Sequence, residues 1–226
     1  MYGQYSASAG PKCLIVVLHL AGVAAAAWLL FGGMQLLAVH FGKQIPQDYV
    51  ARSVLLLLCS VIYFFRLLAT LLVMQKSRVM WKEAAGVGIW LIIIHGTMAA
   101  FGSSNPDPMG AMEWAGMVFY LLGSFLNTGS EYQRMRWKKR PENQGRLYTG
   151  GLFHYSMHIN YFGDVVLFTG FALITGIFWA LIIPGIMLCL FVFVNIPMLD
   201  KYLEQHYGAA FIEYSSRTSK LIPFLY

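Results

Sequence analysis

The chain has 226 residues, 58% of them hydrophobic and only 12% charged, and a formal net charge of +6. An ordinary soluble domain carries roughly 25% charged residues, so this composition excludes one and defines a membrane protein. The positive balance sits mostly in loops between apolar runs, which fits cytoplasm-facing loops and not a nucleic-acid binder.

The first apolar run covers residues 13–39. A cleaved signal has an apolar core of only ~7–15 residues, so this run is read as a retained anchor. A second run covers 49–74 and carries Arg52 near its start and Arg66 well inside. Tyr63 stands one helical turn before Arg66, so the two share a helix face. Either they face an interior cavity, or Arg66 snorkels toward the helix end with Tyr63 packed beside it. The third run, 84–101, and the fourth, 111–126, follow, the latter with Glu113 near its start. The last run, 165–198, is too long for one crossing and is divided at Thr175-Gly176, giving a fifth helix that ends near Ile174 and a sixth reaching Met198.

The expected fold is therefore all-α, a polytopic membrane bundle of six or seven transmembrane helices. Loop charges orient it. Lys76, Arg78 and Lys82 follow the second run, a dense basic group follows the fourth, and Lys201, Arg217 and Lys220 follow the sixth. Lys43 alone lies between the first two runs, and residues 102–110 carry no cation. Both termini and the basic loops are thus expected in the cytoplasm.

Cys13, Cys59 and Cys189 are odd in number, far apart and apolar in context, so neither a disulfide framework nor a metal site is expected. His19, His95 and Asn195 lie within apolar runs, where a lone polar side chain most often makes an interhelical hydrogen bond.

Polar chemistry concentrates after residue 126. The segment NTGSEYQRMRWKKRPENQGRLYTGG starts at Asn127 and holds Arg134, Arg136, Lys138, Lys139, Arg140 and Arg146. Such density suits a polyanion; a positive-inside loop resting on anionic lipid gives the same charge. The neighbours of the cations favour the first reading, because Asn127, Ser130, Glu131, Asn160 and Asp164 supply directional hydrogen bonds that lipid retention does not need. A dinucleotide makes both demands, its phosphates taking Arg and Lys and its ribose and carboxamide taking acids and amides. No glycine-rich strand-to-helix fingerprint is present, so the nucleotide would lie among helices.

These elements stand in the order Asn127-x-x-Ser130-Glu131-Tyr132, the basic stretch, Gly150-Gly151-Leu152-Phe153-x-Tyr155, Asn160-Tyr161-Phe162-Gly163-Asp164 and Leu221-Ile222-Pro223-Phe224. In that order they resemble the steroid 5-alpha-reductase family and its bacterial relatives over roughly residues 123–226. The resemblance implies an NADPH-dependent membrane reductase of a C=C bond conjugated to a carbonyl in a lipophilic substrate. It implies that residues 1–122 supply a substrate pocket and 123–226 a cofactor-binding half of one integral membrane domain, in a bacterial inner membrane or the endoplasmic reticulum. By position, Asn127, Ser130, Glu131, Arg134, Arg136, Lys138, Tyr155, His158, Asn160, Tyr161 and Asp164 become cofactor residues. Tyr63 becomes the donor that polarises the carbonyl, with Arg66 and Gln35 beside it as catalytic candidates.

Two departures from the family pattern stand out. The family pairs its tyrosine with an acid or amide from a preceding segment, and here only Gln35 is offered. Many bacterial relatives carry Arg-His-Pro-Asn-Tyr where this chain has Met157-His158-Ile159-Asn160-Tyr161. A rival reading is the related isoprenylcysteine carboxyl methyltransferase family, which binds S-adenosylmethionine, with Glu204, Glu213 and Tyr214 available. A third is a non-catalytic lipid-binding protein of the same fold.

Overall fold

The computed structural model describes residues 8–44, 50–75 and 78–226. Tyr49 and Lys76, which the sequence places at a helix start and in a basic loop, lie outside the described residues. Helices account for all regular structure among the described residues. They are α1 (Ala9–Trp28), α2 (Met34–His40), α3 (Val50–Ala69), α4 (Trp81–Ser103), α5 (Ala111–Lys138), α6 (Ile159–Ile174), α7 (Ile182–Leu190), α8 (Ile196–Tyr207) and α9 (Ala209–Arg217). Four continuous helical stretches are long and apolar enough to cross a membrane: Ala9–His40, Val50–Met74, Trp81–Ser103 and Phe178–Tyr207. The shorter apolar helix Ile159–Ile174 joins them. The protein is a multi-pass integral membrane protein, and its exposed Val17, Leu20, Val54, Leu58, Ile62 and Phe65 are the side chains that lipid would cover.

The first anchor is not the straight helix its apolar run suggests. Phe31 (φ −118°, ψ 44°) and Gly32 (φ +120°) leave helical geometry and kink it. At ~1.5 Å per residue, an unbroken helix of 32 residues would overshoot a hydrocarbon core of ~30 Å. The fourth run, in contrast, does not stop where its apolar residues end: α5 runs unbroken for 28 residues to Lys138. Polar side chains do not end a helix; the Arg140-Pro141 step does. The division at Thr175-Gly176 holds, because α6 ends at Ile174 and Gly176 takes φ +72°.

The chain forms two compact units. The first comprises Met1–Met117 and Gly170–Leu181. Here α1 lies along α4, and small residues allow the close approach that membrane helices use in place of a hydrophobic driving force. A Cβ on Gly22 would sit 3.3 Å from the Ile92 Cα, and one on Gly88 only 2.2 Å from the Leu18 side chain. Leu56, Leu91, Ile94 and Met98 form the fully buried centre, to which α3 contributes.

A buried ion pair ties the loops of this unit. Arg52 is fully buried and donates to the Asn105 carbonyl (2.7 Å) and to Glu113 Oε1 (3.0 Å). The other Glu113 oxygen accepts from the Gly110 amide (2.9 Å), and Asn105 donates onward to the Thr175 carbonyl (3.3 Å). Breaking one side of such a pair strands a buried charge, at a cost of about 3–5 kcal/mol. Glu113→Ala is therefore expected to lower the detergent melting temperature steeply, and an unshifted melt would show that the pair contributes little.

The second unit comprises Val118–Thr169 and Ile182–Tyr226. Its α5 and α6 segments touch backbone to backbone: a Cβ on Gly123 would lie 2.2 Å from the Leu167 amide, and one on Gly163 2.5 Å from the Asn127 amide. The residues before α6 pair with the C-terminal segment, the Met157 amide donating to the Ser219 carbonyl (2.8 Å) and the His158 amide to the Lys220 carbonyl (3.1 Å). Met157, Phe211 and Tyr214 form a small core beneath this pairing.

Candidate functional site

Polar residues gather in one cluster within each unit. In the second unit, Asn127, Glu131, Arg134 and Lys138 are spaced four, three and four residues apart on α5, which places them along one helical stripe. The tight crossing at Gly163 brings the first turn of α6 against that stripe. Asn127 Nδ2 donates to the Asn160 carbonyl (3.0 Å), and Asn160 Nδ2 donates to Glu131 Oε1 (3.0 Å). The second Glu131 oxygen accepts from Arg134 at 2.5 Å. Four residues predicted from sequence are thus joined in one network, with Glu131 as its hub. Ser130 is fully buried and donates to the Asn127 carbonyl (2.9 Å), so it serves the helix at this point.

The cations divide. The Arg134 guanidinium also lies 5.4 Å from the Phe153 ring. Arg136 is exposed, 5.8 Å from the Tyr132 ring. Lys138 is tied within the unit, donating to the Arg146 carbonyl and to the Tyr207 hydroxyl (2.9 Å).

The stretch ahead of α6 is held by Gln133, which the sequence reading missed, and by Tyr214, which it offered only to the methyltransferase reading. Gln133 Oε1 accepts from the Leu152 amide (3.0 Å), and a Cβ on Gly151, which takes φ +57°, would stand 2.2 Å from that oxygen. Glycine is therefore required there. Tyr214 donates its hydroxyl to the Phe153 carbonyl. Burial, and next the neighbouring Tyr148, push the Tyr214 phenol well above its usual range, and burial raises Tyr148. The donor is then retained at neutral pH, and the stabilisation it gives is full below the ordinary tyrosine range and is lost as pH rises from there through that raised value. Tyr214→Phe is expected to cost about 1 kcal/mol, equally at pH 7 and pH 9, by thermal melts at each pH.

His158, Tyr161, Tyr155 and Asp164 stand differently. His158 is buried, and its Nε2 faces Asp200 Oδ1 at 2.8 Å, while Lys220 lies 3.7 Å from the other Asp200 oxygen. Its ring stacks on Tyr161, which stacks in turn on Phe191. Tyr155 is exposed and meets Phe224 edge-on (5.9 Å). Asp164 is half-buried on α6, one turn beyond Asn160.

In the first unit, Tyr63 is buried on α3, with the Arg66 guanidinium 5.0 Å from its ring. The shared face of Arg66 and Tyr63 is present, which accords with both readings of Arg66. Gln35 is half-buried on α2, beyond the kink. Against Tyr63 lies His19 of α1, ring centroids 5.1 Å apart, and His19 Nε2 is 2.9 Å from His95 Nε2. The expected interhelical hydrogen bond of both histidines is thus made between them, and His95 Nδ1 makes a second with Ser60 Oγ of α3 (3.1 Å).

These features define a multi-pass helical membrane protein with a basic, hydrogen-bonded cluster where α5 and α6 meet. A family model described as a protein of unknown function (DUF1295) matches residues 74–218. The chain belongs to that family, which is similar to the steroid 5-alpha-reductases. Among curated proteins it is similar to 3-oxo-5-alpha-steroid 4-dehydrogenase 1 of Rattus norvegicus, at 32% identity over 110 residues, 49% of this chain and 40% of the relative. The same enzyme of Mus musculus matches at 32% over 110 residues, 49% of this chain and 41% of the relative. For 3-oxo-5-alpha-steroid 4-dehydrogenase 2 of Homo sapiens the identity is 28% over 111 residues, 49% of this chain and 42% of the relative. The matched region thus spans less than half the length of these relatives.

Proposed function

We propose that the chain is a membrane oxidoreductase that uses NADPH to reduce a C=C bond conjugated to a carbonyl in a lipophilic, steroid-like substrate. The observation that carries this reading is the network in which Asn127, Asn160, Arg134 and Glu131 share hydrogen bonds. Its residues suit the cofactor: Arg134 and Arg136 offer charge for phosphates, while Asn127, Asn160 and Glu131 offer directional partners for hydroxyl and amide groups. The names of the curated relatives, dehydrogenases of 3-oxo-steroids, support the substrate class.

NADPH, when bound, supplies the hydride. The chain's own part is to hold charge. As the β carbon of an enone gains hydride, two electrons move onto the carbonyl oxygen, and a proton from solvent later completes the α carbon. Tyr63 is proposed as the donor to that oxygen, because a phenol hydroxyl can donate a hydrogen bond to charge developing there. Arg66 adds a positive field over the same ring.

In detergent, NADPH at about 100 times its Kd is expected to stabilise the fold by roughly 2.7 kcal/mol, read as a rise in melting temperature. Stabilisation by S-adenosylmethionine in its place would transfer the assignment to a methyltransferase.

A further inference from the structure

We infer that Phe224, Leu225 and Tyr226 form an interfacial anchor, a fixed turn whose side chains seat in the layer of the bilayer where headgroups meet acyl chains. The motif Leu221-Ile222-Pro223-Phe224 is an element of the family pattern that the cofactor cluster leaves unused, and it supplies the base and tip of this turn.

The base is buried and tied down. Leu221 is fully buried, and Ile222 and Pro223 are half-buried. The fully buried Ser156 donates its hydroxyl to the Leu221 carbonyl (2.7 Å), next to the backbone bonds that Met157 and His158 give to Ser219 and Lys220. The tip is held by its own backbone. The amides of Leu221 and Ile222 donate to the main-chain oxygen of Tyr226, and those of Leu225 and Tyr226 return to the Ile222 carbonyl (3.1 Å each). Within this closed turn Phe224 takes φ +65°, a region that a bulky L side chain rarely enters. Such a backbone persists only where its surroundings impose it, and it marks a place to look for function. Here its result is exposure: Phe224 and Leu225 are each 82% exposed and Tyr226 49%, with the exposed Tyr155 set edge-on to Phe224. Three consecutive large side chains displayed on a fixed turn make a surface that calls for a cover.

The depth of the turn decides what that cover is. Residues 219–221 pair with residues 156–158, and Ile159 opens the apolar helix α6. The turn is therefore anchored where a membrane helix begins, the level at which aromatic side chains collect. The exposed Arg217 and half-buried Lys220 stand just behind it. Each also faces an acid, Glu213 at 3.3 Å and Asp200 at 3.7 Å, so the apolar tip and not the charge carries the attachment. Basic side chains of this kind lay their stems along apolar surface and lift their charge toward the headgroups.

The test uses the full chain in nanodiscs of phosphatidylcholine and phosphatidylglycerol, with the photoreactive residue benzoylphenylalanine in place of Phe224. After irradiation, mass spectrometry is expected to find lipid bound covalently to the peptide that carries position 224. The yield should exceed several-fold that from the same label at Glu142, an exposed residue of the loop after α5. Leu225 is equally exposed and takes the label in a second chain, which covers a first variant that does not fold. A cross-link to a second copy of the chain would assign the tip to a protein contact and overturn the anchor. Label that stays unreacted, or that reacts no more than at position 142, would place the tip in water and overturn it as well.

Discussion

Replacing Tyr63 by phenylalanine is expected to slow enone reduction by about 10²–10³-fold while NADPH stabilises the protein as before. The change removes one oxygen from a ring that is 8% exposed, so the packing of Arg66 and His19 against the ring is kept. A donor to a developing oxyanion is worth more in an apolar interior than in water, because no solvent competes for the charge. Its loss should fall on kcat, since the bond strengthens as charge builds on the oxygen. Single-turnover rates under saturating NADPH separate this from a binding defect. Turnover equal to that of the unsubstituted chain would remove Tyr63 from the chemistry.

The membrane architecture was legible because hydrocarbon imposes a simple demand, an apolar helix of sufficient length, and the sequence answers it run by run. Where the reading slipped, a backbone property had been inferred from side-chain polarity. The kink at Phe31–Gly32 comes from a glycine at φ +120° inside an apolar run, which hydropathy does not register. The extension of α5 to Lys138 comes from a polar stripe that stays helical until Arg140-Pro141. Pairings across long separations were less accessible still. Arg52 and Glu113 were each visible as costly charges near span ends, yet their union, 61 residues apart in sequence, needed coordinates. The same holds for His19 and His95, which the sequence identifies singly and the structure joins.

For the cluster on α5 and α6, the sequence reading ended the fourth span at residue 126 and left Asn127, Glu131, Arg134 and Lys138 in a basic segment, whereas α5 runs on to Lys138 and sets them on one stripe. What the sequence lacked was the reach of that stripe to Asn160, which depends on the close crossing at Gly163. It also gave Lys138 and His158 to the cofactor without showing their partners inside the fold, Tyr207 and Asp200.

Glu131→Ala is expected to weaken NADPH binding by tenfold or more, and the sign of this effect is diagnostic. A site that held the cofactor by charge alone would bind a polyanion more tightly once a carboxylate beside Arg134 was removed. A site that works through direction loses instead. Both Glu131 oxygens are in use, one accepting from Asn160 and the other from Arg134, so truncation releases an amide and a guanidinium together. Hydrogen bonds to a charged group are worth about 1.5–3 kcal/mol, which corresponds to a tenfold or larger change in Kd. Glu131→Gln separates the two arms: its amide oxygen still accepts from Asn160, whereas the attraction for Arg134 is gone. Partial recovery in Glu131→Gln would assign the larger share to Asn160, and no recovery would assign it to the ion pair. NADPH titrations followed by melting temperature read all three proteins on one scale, and tighter binding by Glu131→Ala would overturn the directional site in favour of a purely electrostatic one.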